Sequence, residues 1–393
     1  MGKFRIRIAN KIALEGLALL GNNYHVTQDE KDPHGLLVRS SKVDTDQFPS
    51  LLAVARAGAG VNNITVDRAT ERGICVFNTP GANANAVAEL VFVMAGIGAR
   101  NIHHGIEFCR GLASLPDDEL TKEVEAKKSA FRGFELAGKT LGVLGLGQIG
   151  VRVANGGAQR RMRTIGFDPS PTLANIHMLS PDVILSRSLS EVVEKANILS
   201  LHMPYNDKTK GFVNQAFLAR LPDGAMLINY ARGGVVVDDD VRQALDSGKI
   251  GCYITDFPSA ALIGHAKVIT SPHLGASTEE SEEHCATMAV NELKAYLERG
   301  SVTHSVNFPN IESIPGDSSH TRIIMINRDK PGMIGFASQT LGSHGINIAS
   351  YLNESNGRIG YNIIDLESAV PADVVSLIEA HPDVIRTRVI TVR

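Results

Sequence analysis

The chain has 393 residues, of which 43% are hydrophobic and 21% are charged, with a formal net charge of −3. This length predicts roughly two to three domains. The absence of a long basic run argues against a nucleic-acid or anionic membrane partner. No apolar run has the roughly 18 residues of a transmembrane helix, no signal peptide is evident, and the four cysteines show no paired spacing. We therefore expect a cytoplasmic protein without a metal site.

The first hundred residues alternate short apolar runs with helical segments. Strands are predicted over residues 4–9, 35–38, 53–55 and 75–78, and a crossover helix over 62–72. Such alternation is typical of a parallel sheet. A longer apolar helix is predicted over 84–100, and a charged, helix-prone stretch over 103–132.

The alternation restarts with a glycine-rich motif. An apolar run over 141–144 leads into Gly145-x-Gly147-x-x-Gly150, and a helix-length segment follows. The first glycine permits a tight turn, the second lets a pyrophosphate approach the backbone, and the third allows close helix packing. Asp168 ends the next strand, at the spacing of a carboxylate that binds a ribose 2′-hydroxyl. We predict a dinucleotide site rather than a glycine-rich turn beside a solvated aspartate. Because an acid repels a 2′-phosphate, the pattern favours NAD over NADP.

The rest of the chain predicts three more features of domain organisation. Further strands are predicted over 198–202, 225–229, 251–255 and 267–270, which gives six strands in a doubly wound, Rossmann-type α/β nucleotide domain. A helix over 278–299 would return to the first domain, so the nucleotide domain is inserted in a flavodoxin-like substrate domain. After a Pro- and Ser-containing linker, the order βαββαβ predicts a ferredoxin-like unit. The predicted domains are substrate 1–97 with 277–309, NAD-binding 98–276, linker 310–319 and ferredoxin-like 320–393.

Two residues after late strands have the chemistry that interconverts a 2-hydroxy acid and a 2-keto acid. Arg232, in Asn-Tyr-Ala-Arg-Gly-Gly, lies at the carboxyl end of the predicted sheet, where ligands bind in open α/β folds. Its guanidinium could bind carboxylate and carbonyl oxygens together. His273, in Pro-His-Leu-Gly-Ala-Ser-Thr, could exchange a proton near neutral pH. From local sequence alone, a solvated loop arginine and a core or helix-terminal histidine remain open alternatives.

The ordered motifs Gly-Leu-Gly-Gln-Ile-Gly, Asn-Tyr-Ala-Arg-Gly-Gly and Pro-His-Leu-Gly-Ala-Ser-Thr resemble the D-isomer-specific 2-hydroxyacid dehydrogenases. Segments 56–64, 77–83 and 87–91 resemble the members that oxidise 3-phospho-D-glycerate, and the C-terminal unit resembles an ACT regulatory domain. The resemblance implies NAD-dependent oxidation of 3-phospho-D-glycerate to 3-phosphooxypyruvate, in L-serine biosynthesis, by a homodimer or homotetramer with an amino-acid effector. Two alternatives stay open: another substrate (glycerate, hydroxypyruvate or lactate), or a catalytically impaired NAD-sensing protein.

The same resemblance implies a role for individual residues. Arg232 would bind and polarise the substrate, His273 would be the acid/base, and Asp256 would hold the nicotinamide carboxamide. The other implied cofactor contacts are Thr79, Gly145, Gly147, Gln148, Ile149, Gly150, Asp168, Tyr230 and Ala231. The implied substrate contacts are Gly58, Ala59 and Gly60 for the carboxylate, with Arg39 and Arg56 for the phosphate. The implied effector contacts are Asn327, Asp329 and Asn347.

One position departs from the family pattern. The family's third catalytic residue is a glutamate that hydrogen-bonds the histidine, and it belongs at positions 259–261, which here hold Ser, Ala and Ala. Without that anion an imidazole loses both orientation and basicity. Either another carboxylate reaches His273, or the histidine titrates lower, or the protein turns over slowly.

Overall fold

The computed structural model describes residues 3–392, and the chain forms two compact units. The first unit contains the chain up to Asn83 and again from Glu279, and the second unit is Ala84–Thr278. The limits predicted for the individual domains, at 97, 276, 309 and 319, stay predictions. No single helix among the described residues is long and apolar enough to span a membrane. The two consecutive helices 84–99 and 102–111 reach that length and hydropathy only when taken together, and a 61° bend separates them.

The N-terminal part of the first unit is a five-stranded parallel sheet in the order β2-β1-β3-β4-β5. Its elements are β1 Phe4–Ile8, α1 Leu14–Leu17, β2 Tyr24–Thr27, β3 Gly35–Val38, β4 Ala53–Arg56, α2 Val66–Glu71 and β5 Cys75–Phe77. This order is that of flavodoxin-like sheets, as expected. Strand β2 was not predicted, because this edge strand is short and mostly polar.

The second unit is built on a seven-stranded parallel sheet in the order β12-β11-β10-β9-β6-β7-β8. Its first elements are α3 Ala84–Ala99, α4 Ile102–Gly111, α5 Asp117–Lys127, β6 Thr140–Leu144, α6 Gln148–Gln159, β7 Arg163–Phe167, α7 Leu173–His177 and β8 Ile184–Leu185. Then follow α8 Leu189–Lys195, β9 Ile198–Leu201, α9 Gln215–Leu218, β10 Ala225–Asn229, α10 Asp238–Asp246, β11 Ile250–Thr255 and β12 Val268–Thr270. The expectation of six strands was wrong by one, since β8 has only two exposed residues at the sheet edge and no pattern to detect.

The C-terminal part returns to the first unit through a 21-residue helix. Its elements are α11 Glu279–Arg299, β13 Thr321–Arg328, α12 Met333–Ser343, β14 Ile348–Ser355, β15 Ile359–Leu366, α13 Ala372–Glu379 and β16 Val384–Thr391. The four strands form an antiparallel sheet in the order β14-β15-β13-β16, which confirms the ferredoxin-like prediction.

The two central strands of the C-terminal sheet, β13 and β15, are buried on both faces. In β13, Ile323 and Met325 pack against α12 and α13, whereas Ile324 and Ile326 join the core of the N-terminal sheet and α11. Alternate side chains of one strand point to opposite faces, so the strand reads as a continuous apolar run. The C-terminal sheet is therefore part of the first unit's core.

Candidate active site

The glycine-rich turn between β6 and α6 has the geometry of an anion site. Gly145 adopts a φ of +91°, and a Cβ at Gly150 would lie 1.8 Å from the Gly145 carbonyl oxygen, so both positions require glycine. A Cβ at Gly147 would meet no atom within 4 Å, which leaves open space beside the turn. No side chain caps the N-terminus of α6, the helix that begins at Gln148. Free N–H groups and open space fit a dinucleotide pyrophosphate.

Asp168 lies immediately after β7 and is fixed beside this turn. Its Oδ2 accepts a hydrogen bond from Leu146 N at 2.8 Å, and its Oδ1 accepts one from Ser170 N at 2.8 Å. A carboxylate has about four acceptor sites, so two remain for other donors. The position fits the predicted contact with a ribose hydroxyl.

Gln148 and Ile149 begin α6, directly after the turn. The Gln148 amide donates to Asn175 Oδ1 at 2.9 Å, and its Oε1 accepts from Arg152 at 3.0 Å. The side chain of Gln148 is therefore engaged within its own unit, and its backbone is the group available to a pyrophosphate.

Asp256 organises the loop that carries His273. The carboxylate is 2% exposed and accepts from Ser271 Oγ at 2.6 Å, Leu274 N at 2.8 Å and Gly275 N at 2.7 Å. Its backbone carbonyl accepts from His273 N at 3.1 Å. Three donors occupy most of its acceptor capacity. Sequence reasoning assigned Asp256 to the nicotinamide carboxamide and missed this role in the loop.

His273 is exposed and adopts a φ of +56°, which is uncommon for a residue with a Cβ. Such backbone conformations persist where the surroundings fix them, often at functional sites. The imidazole contacts the Phe257 ring, with centroids 5.1 Å apart. The His273 backbone N donates to the carbonyl oxygens of Asp256 and Ser271, and within the described residues of the second unit no carboxylate is hydrogen-bonded to the imidazole. Ser259, at the first of the three departing positions, has a buried Oγ without a partner among the described residues.

Arg232 follows β10 and is exposed, with its Nη1 donating to the Ala231 carbonyl oxygen at 2.7 Å. Asn229 shapes this turn, because its Oδ1 accepts from Ala231 N at 3.1 Å and its Nδ2 donates to the Arg232 carbonyl oxygen at 3.0 Å. Tyr230 is buried between them, and burial raises its pKa to about 12. Asn229 was not predicted; its place at the end of a buried strand, before the arginine motif, is the sequence feature that could have identified it.

The substrate candidates of the first unit lie in two joined loops. Asn78 donates from Nδ2 to the Ala59 carbonyl oxygen at 2.5 Å, and Thr79 N donates to the Gly58 carbonyl oxygen at 3.2 Å. A Cβ at Gly58 would lie 2.5 Å from Arg56 Nη1, so the guanidinium lies against this loop. The buried Thr79 Oγ1 has no partner among the described residues. Asn78, which links the loops, was not predicted.

Gly60 is the last residue of the loop predicted to bind the substrate carboxylate. Arg39, the other residue predicted to bind the phosphate, is paired with a carboxylate. Arg39 Nη1 lies 2.5 Å from Glu282 Oε1 in an ion pair, and Arg39 N donates to Asn10 Oδ1 at 2.9 Å. Its charge is therefore shared with a carboxylate, and a phosphate would have to compete with Glu282 for the Arg39 guanidinium.

The three effector candidates have separate partners. Asn327 is buried and accepts from Asn362 Nδ2 at 2.7 Å, Asp329 accepts from Ser355 Oγ at 2.6 Å, and Asn347 donates to Glu367 at 2.8 Å. Among the described residues, none of the three is hydrogen-bonded to another. Their role as effector ligands stays a prediction. No cluster of His, Cys, Asp or Glu within the described residues is arranged to hold a metal ion.

Comparisons with known proteins agree with this geometry. Residues 102–275 match the family model of the D-isomer specific 2-hydroxyacid dehydrogenase NAD binding domain. The D-3-phosphoglycerate dehydrogenase of Haemophilus influenzae is 31% identical over 378 residues, which cover 92% of this chain and 87% of that protein. The chain belongs to the D-isomer-specific 2-hydroxyacid dehydrogenase family. This confirms the predicted family and the NAD-binding domain.

Other relatives match over a smaller share of their own length or of this chain. The D-3-phosphoglycerate dehydrogenase of Bacillus subtilis is 33% identical, and the match covers 78% of this chain and 59% of that protein. The chain thus spans little more than half the length of several curated family members. A crystal structure of NAD⁺-bound 3-phosphoglycerate dehydrogenase from Entamoeba histolytica matches with a TM-score of 0.61 and 25% identity, over 78% of this chain and 99% of that one.

Proposed function

We propose that this family member oxidises 3-phospho-D-glycerate to 3-phosphooxypyruvate with NAD. The observation that carries the proposal is the loop built by Asp256, which holds His273 in an uncommon backbone conformation just after β12. Arg232 follows β10, and both strands end at the same edge of one parallel sheet. An acid/base and a guanidinium at the carboxyl edge of a nucleotide-binding sheet suit hydroxy-acid oxidation.

The proposed roles follow from the charges of these groups. NAD, when bound, accepts the hydride from C2 of the hydroxy acid. The Arg232 guanidinium binds a substrate carboxylate oxygen and the developing carbonyl oxygen. The neutral His273 imidazole takes the hydroxyl proton during oxidation and returns it during reduction. Asp256 holds the histidine loop, and Asp168 binds the adenosine ribose.

The phosphorylated substrate is supported by the first unit. Gly58 N already donates to the Arg56 carbonyl oxygen at 2.9 Å, so we assign the substrate carboxylate to the N–H groups of Ala59 and Gly60. The Arg56 guanidinium lies against this loop at Gly58. Arg is suited to phosphate because its planar fork binds two oxygens. We assign the phosphate to Arg56 and Arg39, and at Arg39 the phosphate would compete with Glu282 for the guanidinium.

The decisive experiment is a steady-state assay in both directions. We expect NAD-dependent oxidation of 3-phosphoglycerate and NADH-dependent reduction of 3-phosphooxypyruvate, both abolished by His273→Gln and by Arg232→Ala. Glycerate, hydroxypyruvate and lactate are the matched substrates without a phosphate. Turnover of one of these in preference to 3-phosphoglycerate would contradict the phosphate assignment and leave the reaction class intact.

A second function is favoured by one observation. Among the described residues of the second unit, no carboxylate is hydrogen-bonded to the His273 imidazole, so the chain could bind NAD without rapid turnover. In that case NAD would bind and alter assembly, measured by light scattering, while every hydroxy acid failed as a substrate. An amino-acid effector at the ferredoxin-like unit stays a prediction, tested by titrating L-serine in the same assay.

A further inference from the structure

The His273 imidazole has an aromatic neighbour where an acid/base histidine needs an orienting group. Its ring centroid lies 5.1 Å from that of Phe257, with an angle of 60° between the ring planes. This edge-to-face geometry is the arrangement that aromatic pairs prefer. The backbone of His273 is fixed by Asp256, but hydrogen bonds to the backbone leave the side chain free to rotate about χ1 and χ2.

Phe257 is itself held by its surroundings on two sides. Its backbone N donates to Thr255 Oγ1 at 3.1 Å, at the end of β11. On its other side, a Cβ at Gly233 would lie 3.3 Å from the Phe257 Cβ. The base of the Phe257 side chain therefore packs against the turn that follows Arg232. Phe257 therefore lies between the turn of the proposed substrate-binding arginine and the proposed acid/base.

We propose that Phe257 is the positioning residue of His273, an inference that rests on the proposed function. The ring restricts the rotation of the imidazole while leaving both ring nitrogens available, because an aromatic ring accepts no conventional hydrogen bond. One nitrogen can then face the substrate hydroxyl and the other water. Orientation is thus supplied without a fixed negative charge, which a carboxylate partner would also have brought.

The test compares Phe257→Leu with Phe257→Tyr in the full chain. Leu keeps an apolar side chain but removes the ring, so we expect kcat for 3-phosphoglycerate oxidation to fall about five- to tenfold. KM and the affinity for NAD should stay near wild type, since Phe257→Leu leaves Asp168 and Arg232 in place. Phe257→Tyr keeps the ring and should restore kcat to within about twofold of wild type.

A second measurement detects the contact between the Phe257 and His273 rings directly and does not depend on enzyme turnover. In protein labelled with ¹³C-histidine, the ring resonance of His273 is assigned by its loss in His273→Gln. Phe257→Leu should remove its ring-current shift, and Phe257→Tyr should retain it. The matched control is Phe212→Leu, which removes a ring 5.3 Å from Phe217 and should change neither the resonance nor kcat.

The outcomes separate this inference from the proposed function. A Phe257→Leu variant with wild-type kcat overturns the positioning role, whether or not the resonance moves. An unmoved resonance overturns the contact itself. If no hydroxy acid is turned over by the wild type, the proposed function fails, while the resonance still decides whether Phe257 fixes the imidazole.

Discussion

The Asp168 carboxylate accepts hydrogen bonds from two backbone amides beside the glycine-rich turn, and its predicted contact with the NAD ribose can be tested by removing its charge. Asp168→Asn drops the negative charge and keeps one side-chain oxygen. Because the Leu146 and Ser170 amides donate to different oxygens of Asp168, only one of them keeps its acceptor. Hydrogen bonds to charged groups contribute about 1 kcal/mol more than neutral ones, so NAD affinity should fall about fivefold. Without charge repulsion, the gap between NAD and NADP should narrow. Calorimetric titration with NAD and with NADP measures both affinities, and the exposed Asp182→Asn is the control. Wild-type protein that binds NAD and NADP equally well would contradict the ribose contact of Asp168.

The second prediction concerns the family's catalytic glutamate, which is absent from positions 259–261 of this chain. Ala260 is exposed, on the loop that follows Phe257, and Ala260→Glu would place a carboxylate near the imidazole. An adjacent anion favours the protonated imidazole, and keto-acid reduction consumes that proton. We expect the reductive pH–rate limb to move upward by about one pH unit and the rate to rise.

Ala260→Gln is the matched control, because it has the same shape without the charge and should leave the limb in place. Ala261→Glu tests the neighbouring position. If neither glutamate moves the profile, another group already pairs with His273, and the family's acid has been relocated rather than lost.

At the scale of elements, the C-terminal sheet caps the end of α11. The final carbonyl groups of an α-helix have no partner within the helix. Here Arg388 donates to the carbonyl oxygens of Tyr296 and Leu297 at 3.2 and 2.9 Å. Arg322 donates to that of Arg299 at 2.8 Å, and Tyr361 Oη donates to that of Gly300 at 2.7 Å. The long helix that follows the histidine loop therefore ends on side chains of the ferredoxin-like unit.

The Arg322–Asp365 ion pair makes this contact testable. Both side chains are fully buried, with Nε 2.6 Å from Oδ1. Arg322→Met leaves Asp365 buried without its partner and removes the cap on Arg299, so we expect a loss of about 3–5 kcal/mol in the free energy of unfolding. The control is Arg358→Met, which removes an exposed ion pair to Asp67 and should cost less than about 1 kcal/mol. Denaturant unfolding measures both, and equal losses would contradict the argument.

Helix α11 also contains a titrating group. Burial raises the pKa of Glu292 from an ordinary value of 4.5 to about 9. The stability that this carboxyl group contributes is present below its ordinary pKa and is lost as the pH rises toward 9, because the folded state holds the proton. Glu292→Gln keeps an acceptor for His304 Nδ1, which lies 2.9 Å from Oε1.

We therefore expect Glu292→Gln to match the wild type at about pH 5 and to be more stable by about 1–3 kcal/mol at about pH 8. Unfolding in denaturant at the two pH values measures the difference. The exposed Glu280→Gln, in the first turn of the same helix, should show no such change of slope.

These elements also show what the sequence could predict. The glycine turn, Asp168 and the two strand-end residues Arg232 and His273 follow from local motifs, because each depends on neighbours close in the chain. The strands Tyr24–Thr27 and Ile184–Leu185 were missed, since short edge strands have little apolar pattern. The loop contacts of Asp256 were not predicted, because its three donors lie 15 to 19 residues away along the chain, and its contact with the nicotinamide carboxamide stays a prediction.

At the scale of the whole molecule, the C-terminal unit is part of a core rather than a tethered attachment. Ile324, Ile326 and Tyr361 belong to the same apolar cluster as Leu293 and Tyr296 of α11. This shared core was not predicted from the sequence. The composition of residues 310–319 indicates a linker but does not indicate whether the parts on either side of it pack together. A buried apolar interface and capped carbonyls together predict that the first unit unfolds as one.

Cleavage of the linker tests this without deleting any core residue. A protease site inserted between Gly316 and Asp317 lies in exposed, irregular chain, so cutting it should leave the core contacts intact. We expect the two fragments to co-elute in gel filtration and to unfold in a single calorimetric transition, because the interface is apolar and its carbonyl groups are capped. In contrast, a chain ending at residue 312 should aggregate or melt well below the full chain, since it exposes Leu297 and leaves the end of α11 uncapped. Fragments that separate after cleavage, or a truncated chain with unchanged melting temperature and NAD affinity, would show that the C-terminal unit is only tethered.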